Sequence, residues 1–271
     1  MCRAARRANR LGAIGYCSAV LGHELVGSGP VRVVVMNDWL CDTSTWDTAR
    51  AYLDRERFTY AFVDVRGYGR SRGRAGAFTV TEATADVISL LDALGWDRCA
   101  VIGHSMSTLI ALHLGQEHAD RIERIAVLTP APLGGFGADA AAIERTTELA
   151  HAGDAARTAF LLERFTARLS PGWAQFKAER WCATSDPAAV AGYFAMFARD
   201  GLPSPTAPIG VPVLAITGEL DAPPMRRAAV EPMLAAVCAK LEVCAIAESG
   251  HYPMQEAPPL TVALIERFLA T

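Results

Sequence analysis

The sequence predicts an α/β fold: a mainly parallel, doubly wound sheet flanked by helices, with a helical cap inserted into it. Three observations predict it. Short, uniformly apolar runs alternate with longer segments of helical period, as βα units do. The runs lack a polar face, as strands covered by helices on both sides do. The alternation then lapses for about 80 residues, in which three or four helical patterns replace the strands.

The expected strands are Val31–Met36, Tyr60–Val65, Cys99–Gly103, Ile122–Leu128, Val211–Thr217 and Leu241–Ile246. Between them, helical periodicity runs over Ser44–Leu53, Val80–Leu94, Ser105–Glu117, Pro224–Ala239 and Pro259–Leu269. Cap helices are expected at 138–151, 154–169, 173–183 and 187–200. Pro- and Gly-rich hinges flank them: Pro130-Ala131-Pro132-Leu133-Gly134-Gly135 before and Pro203-Ser204-Pro205-Thr206-Ala207-Pro208 after. The resulting division is core 1–132, cap 133–208 and core 209–271.

With 271 residues, 51% apolar and 20% charged, the chain can bury one large core and is not composed like a disordered one. A net charge of −3 gives no general pull toward nucleic acid or anionic lipid. No apolar run approaches the roughly 20 residues that span a bilayer. Arg3, Arg6, Arg7 and Arg10 precede the milder stretch Leu11–Leu21, as in a signal peptide. Gly12, Gly15, Tyr16, Cys17 and Ser18 dilute that stretch, and no small-x-small site follows, so the expectation is a cytoplasmic protein. The 7 cysteines are odd in number and lack C-x-x-C spacing, consistent with reduced thiols and no metal. The expected partner is a small-molecule substrate; nucleic acid and membrane are not expected, and homo-oligomers are compatible with the sequence.

The strand at Cys99 runs into Gly103-His104-Ser105-Met106-Ser107 and then a helix, the setting in which a sharp turn projects one serine hydroxyl above a sheet. Two residues either side of that serine must be small, which Gly103 and Ser107 are. The strand at Val211 leads to Gly218-Glu219-Leu220-Asp221, and the last strand leads to Gly250-His251. Ser105, Asp221 and His251 thus each follow the carboxyl end of a strand, where open α/β sheets place their sites. A serine needs a base to become nucleophilic, and the imidazole needs a carboxylate to hold its tautomer.

These three motifs resemble the capped branch of the α/β-hydrolase superfamily. So do Asp64-Val65-Arg66-Gly67-Tyr68-Gly69-Arg70-Ser71, similar to D-x-R-G-x-G-x-S, and Gly250-His251-Tyr252-Pro253 through Glu256, similar to G-H-x-P-x-x-E. The resemblance covers Gly22 to Ala270 and implies a serine hydrolase with the triad Ser105, Asp221 and His251. It also implies an oxyanion hole formed by the backbone N–H groups of Trp39 and Met106, and no cofactor. Glu219 is the rival acid.

The chain departs from the family at Asn37-Asp38, where H-G is usual, and at Ser107, where glycine is usual. Asn and Asp tolerate positive φ best after glycine, so Asp38 is expected to take the glycine conformation with its carboxylate turned away or paired. Asp38→Gly is then expected to keep activity or raise it, and Asp38→Val to be much worse. His104 and His113 are expected to be packing residues. Asp42 and Trp46 are expected to brace the oxyanion loop, and Arg66, Arg70 and Arg72 to brace the neighbouring one. Phe160, Phe165, Trp173, Phe176, Trp181, Tyr193, Phe194, Met196 and Phe197 divide between cap core and an apolar pocket over Ser105. The expected activity is cleavage of a small, largely apolar carboxylic ester or lactone through an acyl-enzyme on Ser105. The alternatives are a carbon–carbon bond hydrolase of the meta-cleavage type, a cofactor-free dioxygenase, and a receptor-like ligand-binding member with little turnover.

Overall fold

The computed structural model describes residues 20–165, 168–204 and 207–271. Most of the leader-like N-terminal stretch and Pro205-Thr206 of the second hinge lie outside the described residues. Among the described residues, seven strands form one sheet: β1 (His23–Gly27), β2 (Val31–Met36), β3 (Phe58–Val63), β4 (Cys99–His104), β5 (Ile122–Leu128), β6 (Val213–Gly218) and β7 (Leu241–Ile246). Their order is β1-β3-β2-β4-β5-β6-β7; β1 runs antiparallel to β3 and every other pairing is parallel.

Helices cover both faces. Between strands run α1 (Val80–Leu94) and α2 (Ser107–Glu117), and after β6 come α7 (Arg227–Ala235), the single turn α8 (Pro253–Glu256) and α9 (Pro258–Leu269). Side chains alternate along each strand, so Val34 and Met36 join a core with Val87, Leu109 and Leu234. Val33 and Val35 join the opposite core with Trp46, Val262 and Ile265. Among the described residues, four α-helices separate β5 from β6: α3 (Ala140–His151), α4 (Asp154–Arg164), α5 (Pro171–Thr184) and α6 (Pro187–Ala195). The side chains of Asp139, Ser170 and Asp186 cap three of them, and Pro171 and Pro187 occupy first helical positions, where a missing N–H costs nothing. Among the described residues, no helix is long and apolar enough to cross a membrane.

Several elements differ from expectation. β1, His-Glu-Leu-Val-Gly, has no predicted counterpart; it is an edge strand whose Glu24 and Leu25 are exposed. Ser44–Leu53 is two 3₁₀ turns, Thr43–Trp46 and Ala49–Tyr52, because Thr43, Ser44 and Thr45 favour capping over helix propagation. The helix expected at Pro224–Ala239 is confined to α7, since Cys238 leaves it to bridge Ile209. β3 ends at Val63, two residues early, and β6 begins at Val213, after Pro212, which has no N–H to give a ladder. α4 stops at Arg164, and α6 passes into a π-turn at Met196–Asp200. Cys99 and Cys238 sit in the core, where burial pushes their thiols up to about 12 and about 11.

Candidate active site

The turn after β4 holds Ser105 at φ 52°, a left-handed angle that costs a non-glycine residue of order 1–3 kcal/mol and persists only where the surroundings enforce it. They do so here. A Cβ on Gly103 would lie 2.5 Å from the Ser107 carbonyl oxygen, so strand and helix admit no side chain at that point. Ser107, fully buried, closes the turn with its hydroxyl: Oγ accepts the His104 N–H at 2.9 Å and donates to the His104 carbonyl at 3.1 Å. The departure from glycine therefore adds two hydrogen bonds without disturbing the turn.

Three loops converge above the carboxyl ends of the strands. His251 Nε2 is 2.9 Å from Ser105 Oγ, and Nδ1 is 2.8 Å from Asp221 Oδ2. Asp221 Oδ1 accepts the Ala222 N–H at 2.7 Å, which fixes the carboxylate. Glu256 clamps the peptides around the histidine, accepting the N–H groups of Gly250 at 2.7 Å and Tyr252 at 2.8 Å. Burial alone would push the His251 pKa down. The Asp221 carboxylate more than offsets it, with Asp38 and Glu256 adding, so the pKa stands above the ordinary imidazole value. The sequence-predicted Ser105, Asp221 and His251 are therefore brought together. Glu219 lies apart from the histidine, accepting hydrogen bonds from Thr217 and Arg227.

The loop after β2 corrects one expectation. Outside glycine, only Phe78, Ser105 and Thr129 have positive φ among the described residues, so Asp38 does not take the glycine conformation. Asp38 is instead tied down through its side chain. Oδ1 accepts the N–H groups of Leu40 and Cys41, each at 3.1 Å, and Oδ2 accepts the Lys177 ammonium at 2.7 Å. Burial raises the Asp38 carboxyl, but the Lys177 ammonium, with the Leu40 N–H, more than reverses that, and it stays below the usual carboxylate range. The backbone N–H groups of Trp39 and Met106 have no hydrogen-bond acceptor among the described residues. The Trp39 indole donates to Val190 of α6 at 2.8 Å, anchoring this loop to the inserted helices.

Supporting residues fall largely where expected. His104 is fully buried and donates from Nε2 to the His251 carbonyl at 2.7 Å; burial, then His251, lowers its pKa to about 3. His113 meets Thr84 Oγ1 at 3.0 Å in the core. Asp42 caps the first 3₁₀ turn and takes a two-pronged ion pair from Arg180, and Trp46 donates to the Met36 carbonyl. Arg66 grips Asp86, Arg70 grips Asp64, and Arg72 donates to the Ala183 carbonyl.

A cavity of about 440 Å³ opens onto Ser105 and His251, walled mainly by apolar side chains. Of the nine large cap residues, Phe160, Phe165, Phe194 and Phe197 line it. Trp181, Tyr193 and Met196 are buried, Trp173 donates to Gln255, and Phe176 is exposed. Arg145 and Arg164 also reach the cavity, which sequence reasoning did not anticipate. Lys177 was likewise missed; its one signal was rarity, as one of two lysines in an otherwise arginine-only set of cations.

Residues 42–258 match the family model for the alpha/beta hydrolase fold, and the chain belongs to that family. A pimeloyl-acyl-carrier-protein methyl ester esterase from Salmonella heidelberg (strain SL476) is 30% identical over 109 residues, covering 40% of this chain and 40% of that protein. The match thus spans about two fifths of the length of the curated relative. Among solved structures, the enol-lactonase from Burkholderia xenovorans LB400 is 26% identical, with a TM-score of 0.77 over 93% of this chain and 96% of that one. A hydrolase from Oleispira antarctica has a TM-score of 0.79 at 20% identity, over 93% of this chain and 95% of that one, a likeness of fold alone.

Proposed function

We propose that this protein is a serine hydrolase that cleaves a small, largely apolar carboxylic ester or lactone through an acyl-enzyme on Ser105. The observation that carries the reading is the unbroken relay Ser105 Oγ to His251 Nε2 to Asp221 Oδ2, at 2.9 and 2.8 Å. With Nδ1–H directed to Asp221, Nε2 is free to take the serine proton. The alkoxide attacks the substrate carbonyl, and the N–H groups of Trp39 and Met106 receive the oxyanion. Such donors are typically worth about 10²–10³ in rate each. His251 then returns its proton to the leaving alcohol, or to the ring-opened hydroxyl of a lactone. A water deprotonated by His251 releases the acid and restores Ser105.

The substrate class follows from the cavity, whose volume falls in the ordinary small-ligand range and whose walls offer mostly hydrocarbon. The likeness to a methyl ester esterase and an enol-lactonase supports the same bond type. Residues 133–208 serve as the cap that supplies the pocket's aromatic wall. Asn37-Asp38, the departure from the family's H-G, is accommodated by the pairing of Asp38 with Lys177. The test is a panel of p-nitrophenyl esters and lactones against wild type and Ser105→Ala. Turnover by the first and none by the second supports the proposal; turnover by neither, or by both, overturns it.

A further inference from the structure

Helix α5 reaches into the core through one buried cation. Lys177 Nζ lies 2.7 Å from Asp38 Oδ2, with both side chains only 2% exposed. One turn along the same face, Arg180 holds Asp42 at 2.8 Å, so the helix grips the loop after β2 at two points. Removing two charges from water costs several kcal/mol per ion, and a buried pair recovers little of it as net stability. Its consequence is local: it seats Asp38.

That seat governs the backbone next to Ser105. Asp38 Oδ1 takes the N–H groups of Leu40 and Cys41. Asn37 Nδ2 donates to the carbonyls of Asp38 at 2.7 Å and Cys41 at 2.9 Å, and Asn37 Oδ1 takes the Val65 N–H at 2.8 Å. The Tyr68 hydroxyl donates to the Trp39 carbonyl at 2.7 Å. These partners consume the polar groups around Trp39 and leave its N–H without one among the described residues. The pair also extends toward the catalytic histidine, since Lys177 Nζ sits 4.8 Å from the ring centroid of Tyr252, the residue after His251.

We infer that Lys177 is a positioning residue for catalysis: from the cap it holds the Asp38 carboxylate under the N–H groups of Leu40 and Cys41, so that the Trp39 N–H stays free for the reacting oxygen. The inference rests on the hydrolase reading. It makes the Asn37-Asp38 departure functional, because a side-chain carboxylate and a cap lysine together replace what glycine does through backbone freedom. An oxyanion donor set this way depends on the cap being docked.

Three variants test it. Lys177→Met keeps the bulk and removes the ammonium. Asp38→Asn/Lys177→Met removes both charges but keeps an oxygen for the N–H groups of Leu40 and Cys41. Asp38→Ala/Lys177→Met removes that oxygen too. Neither double variant leaves an unpaired buried charge, so both are expected to fold. The readouts are the rate of fluorophosphonate labelling of Ser105, and kcat and KM on an ester the wild type cleaves. The Asn/Met double should stay within about threefold of wild type, while Ala/Met and Lys177→Met lose roughly tenfold or more in labelling and kcat with KM little changed, as expected for a weakened oxyanion donor. Equal rates in the two doubles, or a folded Lys177→Met at the wild-type rate, would overturn the inference. If Lys177→Met does not fold, Lys177→Gln, which keeps a donor for Asp38 but no charge, takes its place, and a folded Lys177→Gln at the wild-type rate overturns the inference. A wild type that never labels removes the hydrolase reading and this one with it; a wild type that labels, with all variants equal to it, removes only this one.

Discussion

His104 and His251 are joined by a 2.7 Å hydrogen bond from the His104 imidazole to the His251 carbonyl, linking the serine turn to the histidine loop. His104 is neutral at any working pH, its pKa being lowered to about 3 by burial and then by His251, so the bond does not titrate with catalysis. Replacing His104 with Phe leaves that carbonyl only the Thr129 hydroxyl, at 3.2 Å. The expected result is a loss of about 0.5–1.5 kcal/mol in stability, the net worth of one buried hydrogen bond. Denaturant melts check it; a neutral outcome would mean that Thr129 and Glu256 suffice to hold the loop.

Asp221→Asn should cost about 10⁴ in kcat by presenting the wrong imidazole tautomer. It should also move the pH profile. His251 works as a base only when neutral, and its raised pKa means wild-type activity is lost as pH falls through a value above the ordinary imidazole one. Without the Asp221 charge, burial dominates and the acid limb moves to lower pH. The same raised pKa gives stability that is complete below the unfolded value of about 6.5 and lost as pH rises through the folded one. Glu219→Gln should leave the pH–rate profile as it is. A dead Glu219→Gln beside an active Asp221→Asn would reverse the assignment.

The triad was legible because each member directly follows an apolar strand, and strand ends are where such sheets expose side chains. β1 was not legible: three residues of its five are exposed, and it is defined by pairing with β3 rather than by any apolar run. The loop at Asn37-Asp38 was misread for a related reason. Local backbone preference suggested positive φ, whereas Asp38 is tied through its side chain to the Leu40 and Cys41 N–H groups and to Lys177, 139 residues away. A contact of that kind leaves no periodic trace. The corrected geometry reverses the expectation for Asp38→Gly, which strands the Lys177 charge and should destabilise the protein by about 3–5 kcal/mol, the usual cost of breaking a buried pair. Thermal melts together with kcat/KM of Asp38→Gly decide between the two.

Ser105→Ala, His251→Ala and the double variant should be about equally inactive, because the two side chains act as one unit. Steady-state rates on a single ester check this. Multiplicative losses would show that the two residues work independently.

Ala142 lies on the cavity wall in α3. Ala142→Phe should fill space there and lower kcat/KM for long acyl chains by roughly 10–200-fold, the scale of steric discrimination in apolar pockets, while short acyl chains change little. Acetate and octanoate esters compared side by side give the answer. A uniform loss for both would indicate a disturbed cap, not a shaped pocket.

The central claim is that Ser105 is an activated nucleophile. The most direct measurement is intact-mass and peptide-mapping analysis after incubation with a fluorophosphonate. One adduct per chain is expected, on the peptide containing Ser105, formed by wild type and absent from Ser105→Ala and His251→Ala. An unmodified wild type, or an adduct that persists in Ser105→Ala, would contradict it.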